Sequence, residues 1–429
     1  MYEYFRGHGP EVAVEEDAQP VPGLYIERKK RANRYFLNGR YIKYEKLNAA
    51  GYRERIDYYD DNRYNHKTEI FDSKGRVART DHKDLIHGTP RNQTFHRPDG
   101  SIYLSKWLKR EDSSGKNLLL RINLFDLSGR ITNVFYSEDE LKLHFLDRLV
   151  GSQPTSILAE ARSVDRIVSK IENPLVKKMA IVHNMHLEPP HRIDDPVDNA
   201  HSFLLANVER FDALVLLTED QRLDVQRKVG LDPVLHVIPH SIGPTPRRAA
   251  LPWREPYRIT MVARLAPQKR VEDAIRAMSD VVEQVPAAQL NIWGEGGERM
   301  QLEELIVHLG LENTVFLRGY THSPLEQYAS SDLSILTSRY EGFGLVILES
   351  LSQGCPVISY DLKYGPKDII ESGVNGFLVE DGNVEYLARE ITALLVDRGR
   401  LAAMRSRAIG SMSDFDEKSY LKRWLRALS

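Results

Sequence analysis

The chain has 429 residues, of which 41% are hydrophobic and 28% charged, and 59 Lys+Arg against 61 Asp+Glu give a formal net charge of −2. These values are typical of a globular protein with about three domains, and they exclude a collagen-like or disordered chain. The single cysteine, Cys355, excludes an intrachain disulfide, a multi-cysteine zinc site and a CxxC redox pair. Because no apolar run is long enough to span a bilayer, we predict a cytosolic protein.

Residues 24–148 predict an antiparallel β-meander. Short runs rich in Tyr, Phe, Ile and Thr alternate apolar with charged residues and are separated by turn sequences such as Asn38-Gly39. The motif Phe-Asp-x-x-Gly-Arg occurs at 71–76 and again at 125–130, which suggests a degenerate hairpin repeat. The segment carries 26 Lys+Arg and 18 Asp+Glu, a net charge of 26 − 18 = +8. Such an excess marks a surface for an anionic partner or simply protects the edges of an exposed sheet, and both interpretations stay open.

The rest of the chain alternates short apolar runs with helical patterns, which indicates parallel sheets with crossover helices. One series occupies residues 149–243 and a second occupies residues 257–412, with a Pro-rich linker predicted at 244–256. We therefore predict an α/β fold with two Rossmann-like domains and an antiparallel meander near the N-terminus. Ligands bind outside the carboxyl ends of the strands in such sheets, so the residues there are the candidates for a site in a cleft.

Two cations follow the first strand of the second series. Arg264 and Lys269 are five residues apart on a strand-to-helix loop, where they could converge on one anion beside the N–H groups of a helix start. This arrangement suits a diphosphate. An ordinary solvated loop with basic residues is the alternative.

Two carboxylates lie eight residues apart around a glycine-rich turn. Gly342 and Gly344 interrupt the helical pattern, so we expect Glu341 on a loop and Glu349 on the helix that follows. A carboxylate on a loop can accept hydrogen bonds from sugar hydroxyls, and one within the helix can accept them from a ribose. Two glutamates alone would not indicate a binding site, because surface helices carry many glutamates. Together with Arg264, Lys269 and the Gly-Glu-Gly-Gly turn at 294–297 they do indicate one.

Two histidines follow a strand of the first series. His183 and His186 come at its carboxyl end, where a side chain would face the cleft from the side opposite Glu341. The sequence does not choose between them, because either could be a structural histidine. A His-x-x-His metal pair is a third interpretation, and it lacks any further ligand motif. Asp414-Phe415-Asp416 precedes the last helix, and we interpret it as a helix cap.

From about Thr155 onward the chain resembles the retaining glycosyltransferases of GT-B fold that carry an E-x7-E signature, here Glu341 and Glu349. Two further features, the meander and the segment Asp361–Pro366, narrow the resemblance to the wall-teichoic-acid α-glycosyltransferases and to their relatives that glycosylate serine-rich adhesins. The motifs that carry the resemblance occur in the same order at 237–240, 264–269, 294–296, 316–320, 338–344 and 375–379.

The resemblance implies a role for each candidate residue. Arg264 and Lys269 would neutralise the leaving nucleoside diphosphate without a metal, Glu349 would bind the ribose, and Glu341 would hold the transferred sugar. His183 would lie near the anomeric carbon, with His186 as second choice. The backbone would also contact the donor, at the base through Gly319 and Tyr320, and at the sugar or phosphate through Gly342, Phe343, Gly344 and Leu345.

The resemblance also implies the domain order and the reaction. Residues 1–23 would be the remnant of the first nucleotide-fold domain, 24–148 an inserted meander for acceptor binding or oligomerisation, and 413–429 a helix crossing back. The expected enzyme is a metal-independent hexosyltransferase with no cofactor that moves glucose or N-acetylglucosamine from a UDP-sugar to a polyol-phosphate polymer such as teichoic acid. It would act in the cytoplasm, at most peripherally at the inner face of the membrane, without nucleic acid and as a homo-oligomer or with a partner chain.

Two alternatives stay open at this point. The acceptor could be Ser/Thr hydroxyls of a secreted serine-rich protein, or the chain could be a non-catalytic partner. The second alternative arises because the family's opening strand and Gly-rich loop are not recognisable ahead of the meander. Their absence would predict weak stability and impaired catalysis for this chain alone.

Overall fold

A computed structural model describes residues 1–6, 21–111, 115–230, 234–243 and 256–429. The chain divides into two compact units, Met1–Gln153 and Pro154–Ser429. The predicted linker at 244–256 lies outside the described residues except for its last position. None of the helices within the described ranges combines the length and the apolar character that crossing a bilayer requires.

The first unit is one antiparallel sheet of ten strands in which spatial order equals chain order. Every strand pairs only with its neighbours in the sequence, as the alternation of apolar and charged residues predicts. Its elements are α1 (Tyr2–Arg6), β1 (Leu24–Lys29), β2 (Ala32–Leu37), β3 (Arg40–Leu47), β4 (Arg53–Tyr59), β5 (Asn65–Phe71), β6 (Val77–Lys83), β7 (Pro90–His96), β8 (Ile102–Arg110), β9 (Asn117–Phe125), β10 (Ile131–Phe135) and α2 (Glu138–Val150).

The two copies of the repeated motif form the same turn. The Oδ1 atoms of Asp72 and Asp126 each accept hydrogen bonds from the backbone N–H groups two and four residues later. Gly75 and Gly129 have φ values of 78° and 79°, a backbone conformation that glycine adopts without strain. The predicted hairpin repeat is therefore confirmed as a repeated Asp-closed turn.

The short helix α1 packs on the antiparallel sheet. The ring of Tyr2 stacks on Phe95 with centroids 5.1 Å apart, and its hydroxyl donates to Glu138 at 2.8 Å. Arg6 forms an ion pair with Asp72 at 2.7 Å. Residues 1–6, which are predicted to be part of a parallel-sheet domain, lie in the antiparallel unit, and residues 7–20 are outside the described part of the chain.

The second unit contains two parallel sheets. The first has the order β11-β12-β13-β14 and the second β17-β16-β15-β18-β19-β20. The strands are β11 (Thr155–Ala159), β12 (Val176–Val182), β13 (Ala213–Leu216), β14 (Leu235–Val237), β15 (Arg258–Val262), β16 (Gln289–Trp293), β17 (Val315–Gly319), β18 (Leu333–Leu336), β19 (Val357–Tyr360) and β20 (Gly376–Val379). All ten occupy the apolar runs from which parallel strands are predicted.

The helices of this unit cover the two sheets. They are α3 (Asp165–Val168), α4 (Ser202–Ala206), α5 (Glu219–Val229), α6 (Val271–Gln284), α7 (Arg299–His308), α8 (Pro324–Ala329), α9 (Leu345–Ser352), α10 (Pro366–Ile369), α11 (Val384–Val396), α12 (Arg398–Gly410) and α13 (Glu417–Leu428). The apolar stripes of α6 and α11 are buried in the main core with β15, β16 and β19. Asp416 caps α13 by accepting from the N–H of Ser419 at 2.7 Å, as the capping interpretation predicts.

The last helix returns to the first parallel sheet. Tyr420, Trp424 and Ala427 of α13 pack against Met179 and Val215, which lie on β12 and β13. The face of α13 that carries these three residues is therefore part of the core of the first sheet. The rest of α13 faces away from that core.

Candidate functional site

The candidate site lies where the strand order of the second sheet reverses. β15 and β18 are neighbours, and the helices that follow them leave the sheet in opposite directions, which opens a crevice at the carboxyl ends of the two strands. The loop after β15 carries Arg264 and Lys269, and the loop after β18 carries Glu341. Strand order thus brings together residues that are more than 70 positions apart in the sequence.

Lys269, Glu341 and Ser338 form one hydrogen-bonded cluster. Nζ of Lys269 lies 2.5 Å from Oε1 of Glu341, and Oγ of Ser338 donates to the same oxygen at 2.6 Å. The side chains of Lys269 and Glu341 are only 15% and 11% exposed, so their attraction is little screened by water. The sequence predicts separate roles for Lys269 and Glu341, whereas the structure joins them. Ser338 is not among the predicted site residues.

Arg264 is exposed beside this cluster. Its guanidinium donates to Gln268 Oε1 at 3.2 Å, and Gln268 Nε2 donates in turn to the carbonyl of Tyr340 at 3.0 Å. Gln268 therefore ties the two loops of the crevice together. Gln268 is likewise not among the predicted site residues, although its position beside Lys269 marks it as a residue of the same loop.

The glycine turn after β16 supports the loop of Arg264. A Cβ at Gly294 would lie 1.8 Å from the carbonyl oxygen of Ala263, and one at Gly296 would lie 2.1 Å from that of Leu265. Only glycine allows the two backbones to approach this closely. The Gly-Glu-Gly-Gly turn predicted from the sequence thus shapes the base of the crevice.

Helix α9 begins at the crevice, as expected. Gly344 precedes it with a φ of 87°, and the first N–H groups of the helix, at Leu345 and Val346, have no partner within the helix. These groups and the helix dipole favour an anion at this end. Phe343 is 3% exposed and packs edge-on against His240 at 5.5 Å, so only its backbone can reach a ligand.

Glu349 lies further along α9 and is half-buried. Its carboxylate has no hydrogen bond or ion pair with any residue that the structure describes, and burial raises its pKa. A half-buried carboxylate without a partner is suited to accept hydrogen bonds from a ligand. At the end of β17, Gly319 has a φ of 77° and Tyr320 is 69% exposed, which leaves both available at the rim.

His183 follows β12 and lies against the Glu341 loop. A Cβ at Gly342 would be 1.7 Å from the carbonyl oxygen of His183, so the two backbones are in direct contact. The half-buried ring of His183 stacks in parallel on His240 with centroids 5.7 Å apart, and burial lowers its pKa. His183 and Glu341 are therefore held on two loops that meet at Gly342.

His186 occupies a different environment. It is 0% exposed, neither ring nitrogen has a hydrogen-bond partner among the residues that the structure describes, and the ring stacks on Tyr364 with centroids 5.9 Å apart. Burial, with His201 nearby, lowers its pKa to about 4. A buried, neutral His186 has no path to a ligand, so the geometry favours His183. Among the described residues, no group of three His, Cys, Asp or Glu side chains is placed to hold a metal ion.

Comparisons with known proteins agree with this arrangement. Residues 246–410 match the family model described as glycosyl transferases group 1. A poly(glycerol-phosphate) α-glucosyltransferase of Bacillus subtilis (strain 168) is 28% identical over 378 residues, which are 87% of this chain and 55% of the relative. A poly(ribitol-phosphate) α-N-acetylglucosaminyltransferase of Staphylococcus aureus (strain COL) is 25% identical over 409 residues, 94% of this chain and 79% of the relative.

The crystal structure of TarM superimposes with a TM-score of 0.82 over 95% of this chain and 80% of that one, at 23% identity. The match to the group 1 glycosyltransferases covers the part of the chain that contains the second parallel sheet. The fold of the chain is GT-B, with the antiparallel sheet ahead of the two parallel ones, as the resemblance implied. The chain spans about half of the length of the Bacillus relative and about four fifths of the Staphylococcus relative.

Proposed function

We propose that the chain transfers glucose or N-acetylglucosamine from a UDP-sugar to hydroxyls of a polyol-phosphate polymer with retention at the anomeric carbon. The observation that carries this proposal is the crevice at the strand-order reversal. It combines two cations, the N–H groups of the first turn of α9 and the half-buried carboxylate of Glu349, which has no partner in the described part of the chain. These are complementary to a diphosphate and to a ribose.

In this proposal Arg264 and Lys269 stabilise the charge that develops on the departing diphosphate, the role that a metal ion has in other transferases. Lys269 already holds Glu341, so one charge can serve both the phosphate and the carboxylate that positions the sugar. Glu349 binds the ribose, and the backbone at Gly319 and Tyr320 lies beside the base. We propose that no metal is required.

His183 would guide the acceptor because its loop contacts the Glu341 loop through Gly342. The bond from the anomeric carbon to the β-phosphate oxygen breaks, and the acceptor oxygen bonds to the same face of that carbon. The acceptor proton passes to the departing phosphate. With its pKa lowered by burial, His183 is uncharged near neutral pH, so it would position the acceptor through hydrogen bonds rather than by charge.

The acceptor assignment rests on charge and on the two relatives. Residues 24–148 carry a net charge of 26 − 18 = +8, which would attract a polymer with a phosphate in each repeat. Both relatives act on polyol-phosphate polymers by their names. A serine-rich polypeptide would gain nothing from this charge. We propose the antiparallel unit as the surface for the polymer, and equally as the contact for a second chain.

The test is a donor-by-acceptor transfer assay. UDP-glucose and UDP-N-acetylglucosamine are each offered with poly(glycerol-phosphate), poly(ribitol-phosphate) or a serine-rich peptide, with and without EDTA. We expect transfer to a polyol-phosphate polymer that survives EDTA and weakens with added salt. Transfer to the peptide alone would refute the acceptor, and loss of turnover in EDTA would refute the metal-independent mechanism.

A pair of arginine variants tests the donor site. Arg264→Ala should reduce transfer by at least about 100-fold, because it removes a cation from the developing diphosphate charge. Arg276→Ala is the matched control, since Arg276 is exposed on α6 away from the crevice. Equal activity of the two variants would contradict the diphosphate assignment. Calorimetric binding of UDP without any turnover would instead support a non-catalytic partner.

A further inference from the structure

The C-terminal helix α13 has a second apolar face that is exposed in the part of the chain that the structure describes. Leu421, Leu425 and Leu428 are 51%, 70% and 38% exposed, although α13 already buries Tyr420 and Trp424 against the first parallel sheet. A helix that only covered that sheet would carry polar residues on its outer face. The three leucines therefore require another explanation.

Three cations lie along one side of this leucine stripe. Lys418, Lys422 and Arg426 are spaced by four residues, which places them one above another on the helix, and all three are exposed. None of them forms an ion pair with a carboxylate in the part of the chain that the structure describes. The only acidic residue of α13 is Glu417, at its first turn. The outer face of α13 thus combines an unpartnered apolar stripe with unpaired positive charge.

We propose that this face of α13 docks on the surface of an anionic lipid bilayer. With the helix parallel to the membrane, the leucines would reach the acyl boundary, and the aliphatic stems of the lysines would lie along it with their ammonium groups at the lipid phosphates. Each cation near an anionic surface strengthens binding about fivefold.

The charge pattern favours a bilayer over a protein partner. A protein that covered the leucines would also bury the cations beside them, and each buried cation would then need a matched carboxylate. At a bilayer the same cations stay hydrated among phosphates. Because α13 is already anchored by Tyr420, Trp424 and Ala427, docking would not have to order the helix.

Vesicle co-sedimentation tests this proposal. The protein is mixed with vesicles of phosphatidylcholine alone or of phosphatidylcholine with phosphatidylglycerol. We expect binding to the phosphatidylglycerol vesicles, little binding to phosphatidylcholine alone, and release by added salt. Absence of binding to the anionic vesicles would refute the proposal, whatever the outcome of the transfer assay.

Three variants assign any binding to α13. Leu421→Ser with Leu425→Ser, and Lys418→Gln with Lys422→Gln and Arg426→Gln, should each weaken vesicle binding at least tenfold. The control is Met300→Ser with Val307→Ser on α7, where the side chains are 69% and 62% exposed, and it should bind like the parent chain. Unchanged UDP affinity and unfolding midpoint would show that each variant is folded. Dimerisation that the leucine variant abolishes, with vesicle binding unaffected, would overturn the proposal in favour of a second copy.

Discussion

Gly342 is where a single methyl group should separate the two halves of the candidate site. A Cβ at this position would lie 1.7 Å from the carbonyl oxygen of His183, whereas ordinary contacts of a Cβ begin at 3.4 Å. The Glu341 loop and the His183 loop would therefore have to part by about 3.4 − 1.7 = 1.7 Å. The φ of Gly342 is not in the left-handed region, so the effect of Gly342→Ala is steric and does not come from backbone strain.

The expected loss follows from that displacement. Misplacing reacting groups by about 1 Å lowers a rate roughly 100-fold, so Gly342→Ala should lower kcat/KM at least about 100-fold, or about 2.7 kcal/mol. Unfolding free energy should fall by about 1–3 kcal/mol because of the overpacked contact. UDP affinity should stay within about tenfold of the parent value, since Arg264 is on the loop after β15 and Glu349 is inside α9, whereas the new methyl group meets the His183 loop.

The assay measures initial rates over a range of UDP-sugar concentrations, with UDP binding by calorimetry and unfolding in urea. Gly410→Ala, at the end of α12, is the matched control, because nothing lies within 4 Å of a Cβ there and its φ is also ordinary. The same chemical change should leave kcat/KM unaltered at that site. A Gly342→Ala variant that keeps a third or more of the parent kcat/KM would refute the contact argument.

Three further predictions concern charged and titratable groups. Lys269→Ala removes the ion pair of Glu341 and leaves its carboxylate with the hydrogen bond from Ser338, so the free energy of unfolding measured in urea should fall by about 3 kcal/mol. Adding Glu341→Gln should recover most of this free energy without restoring transfer. An unchanged denaturation midpoint of Lys269→Ala would contradict the ion pair between Lys269 and Glu341. Glu349→Gln should weaken UDP binding roughly ten- to 100-fold in calorimetry, because the proposed acceptor of the ribose hydrogen bonds loses its charge. The unfolding midpoint should not fall, because the charge that is removed is half-buried and has no partner among the described residues. Unaltered UDP affinity would contradict the ribose role. Burial lowers the pKa of His186 to about 4, so as the pH falls below 6.5 the unfolded chain binds a proton at His186 before the folded chain does. The free energy of unfolding should therefore fall by about 3 kcal/mol between pH 6.5 and pH 4. His186→Leu should flatten that dependence, and an identical pH profile of unfolding would exclude His186 as its source.

Features determined by neighbouring residues could be predicted from the sequence. The strands of both parallel sheets occupy the predicted apolar runs, and the Phe-Asp-x-x-Gly-Arg motifs form the turns that their Asp and Gly favour. Glu341 lies on a loop and Glu349 on a helix because Gly344 permits the helix to start between them.

Features determined by distant contacts could not be predicted. The pairing of Lys269 with Glu341 joins residues 72 positions apart and depends on β15 and β18 being neighbours in the sheet. The choice between His183 and His186 depends on burial beneath Tyr364, which comes from elsewhere in the chain. The side-chain amide of Gln268 donates to the backbone carbonyl of Tyr340, 72 positions away, and the position of Gln268 beside Lys269 does not indicate that partner.

Because the strand order of the antiparallel sheet is strictly sequential, the width of the sheet can change by whole hairpins. Each strand meets only its chain neighbours, so a hairpin can be inserted or deleted without breaking any pairing other than the one at the junction. Ten strands at about 4.8 Å per spacing form a ribbon roughly 43 Å wide, and each two-strand hairpin changes that width by about 10 Å. Evolution or design can therefore adjust the reach of this unit in steps, while the crevice between β15 and β18 stays as it is.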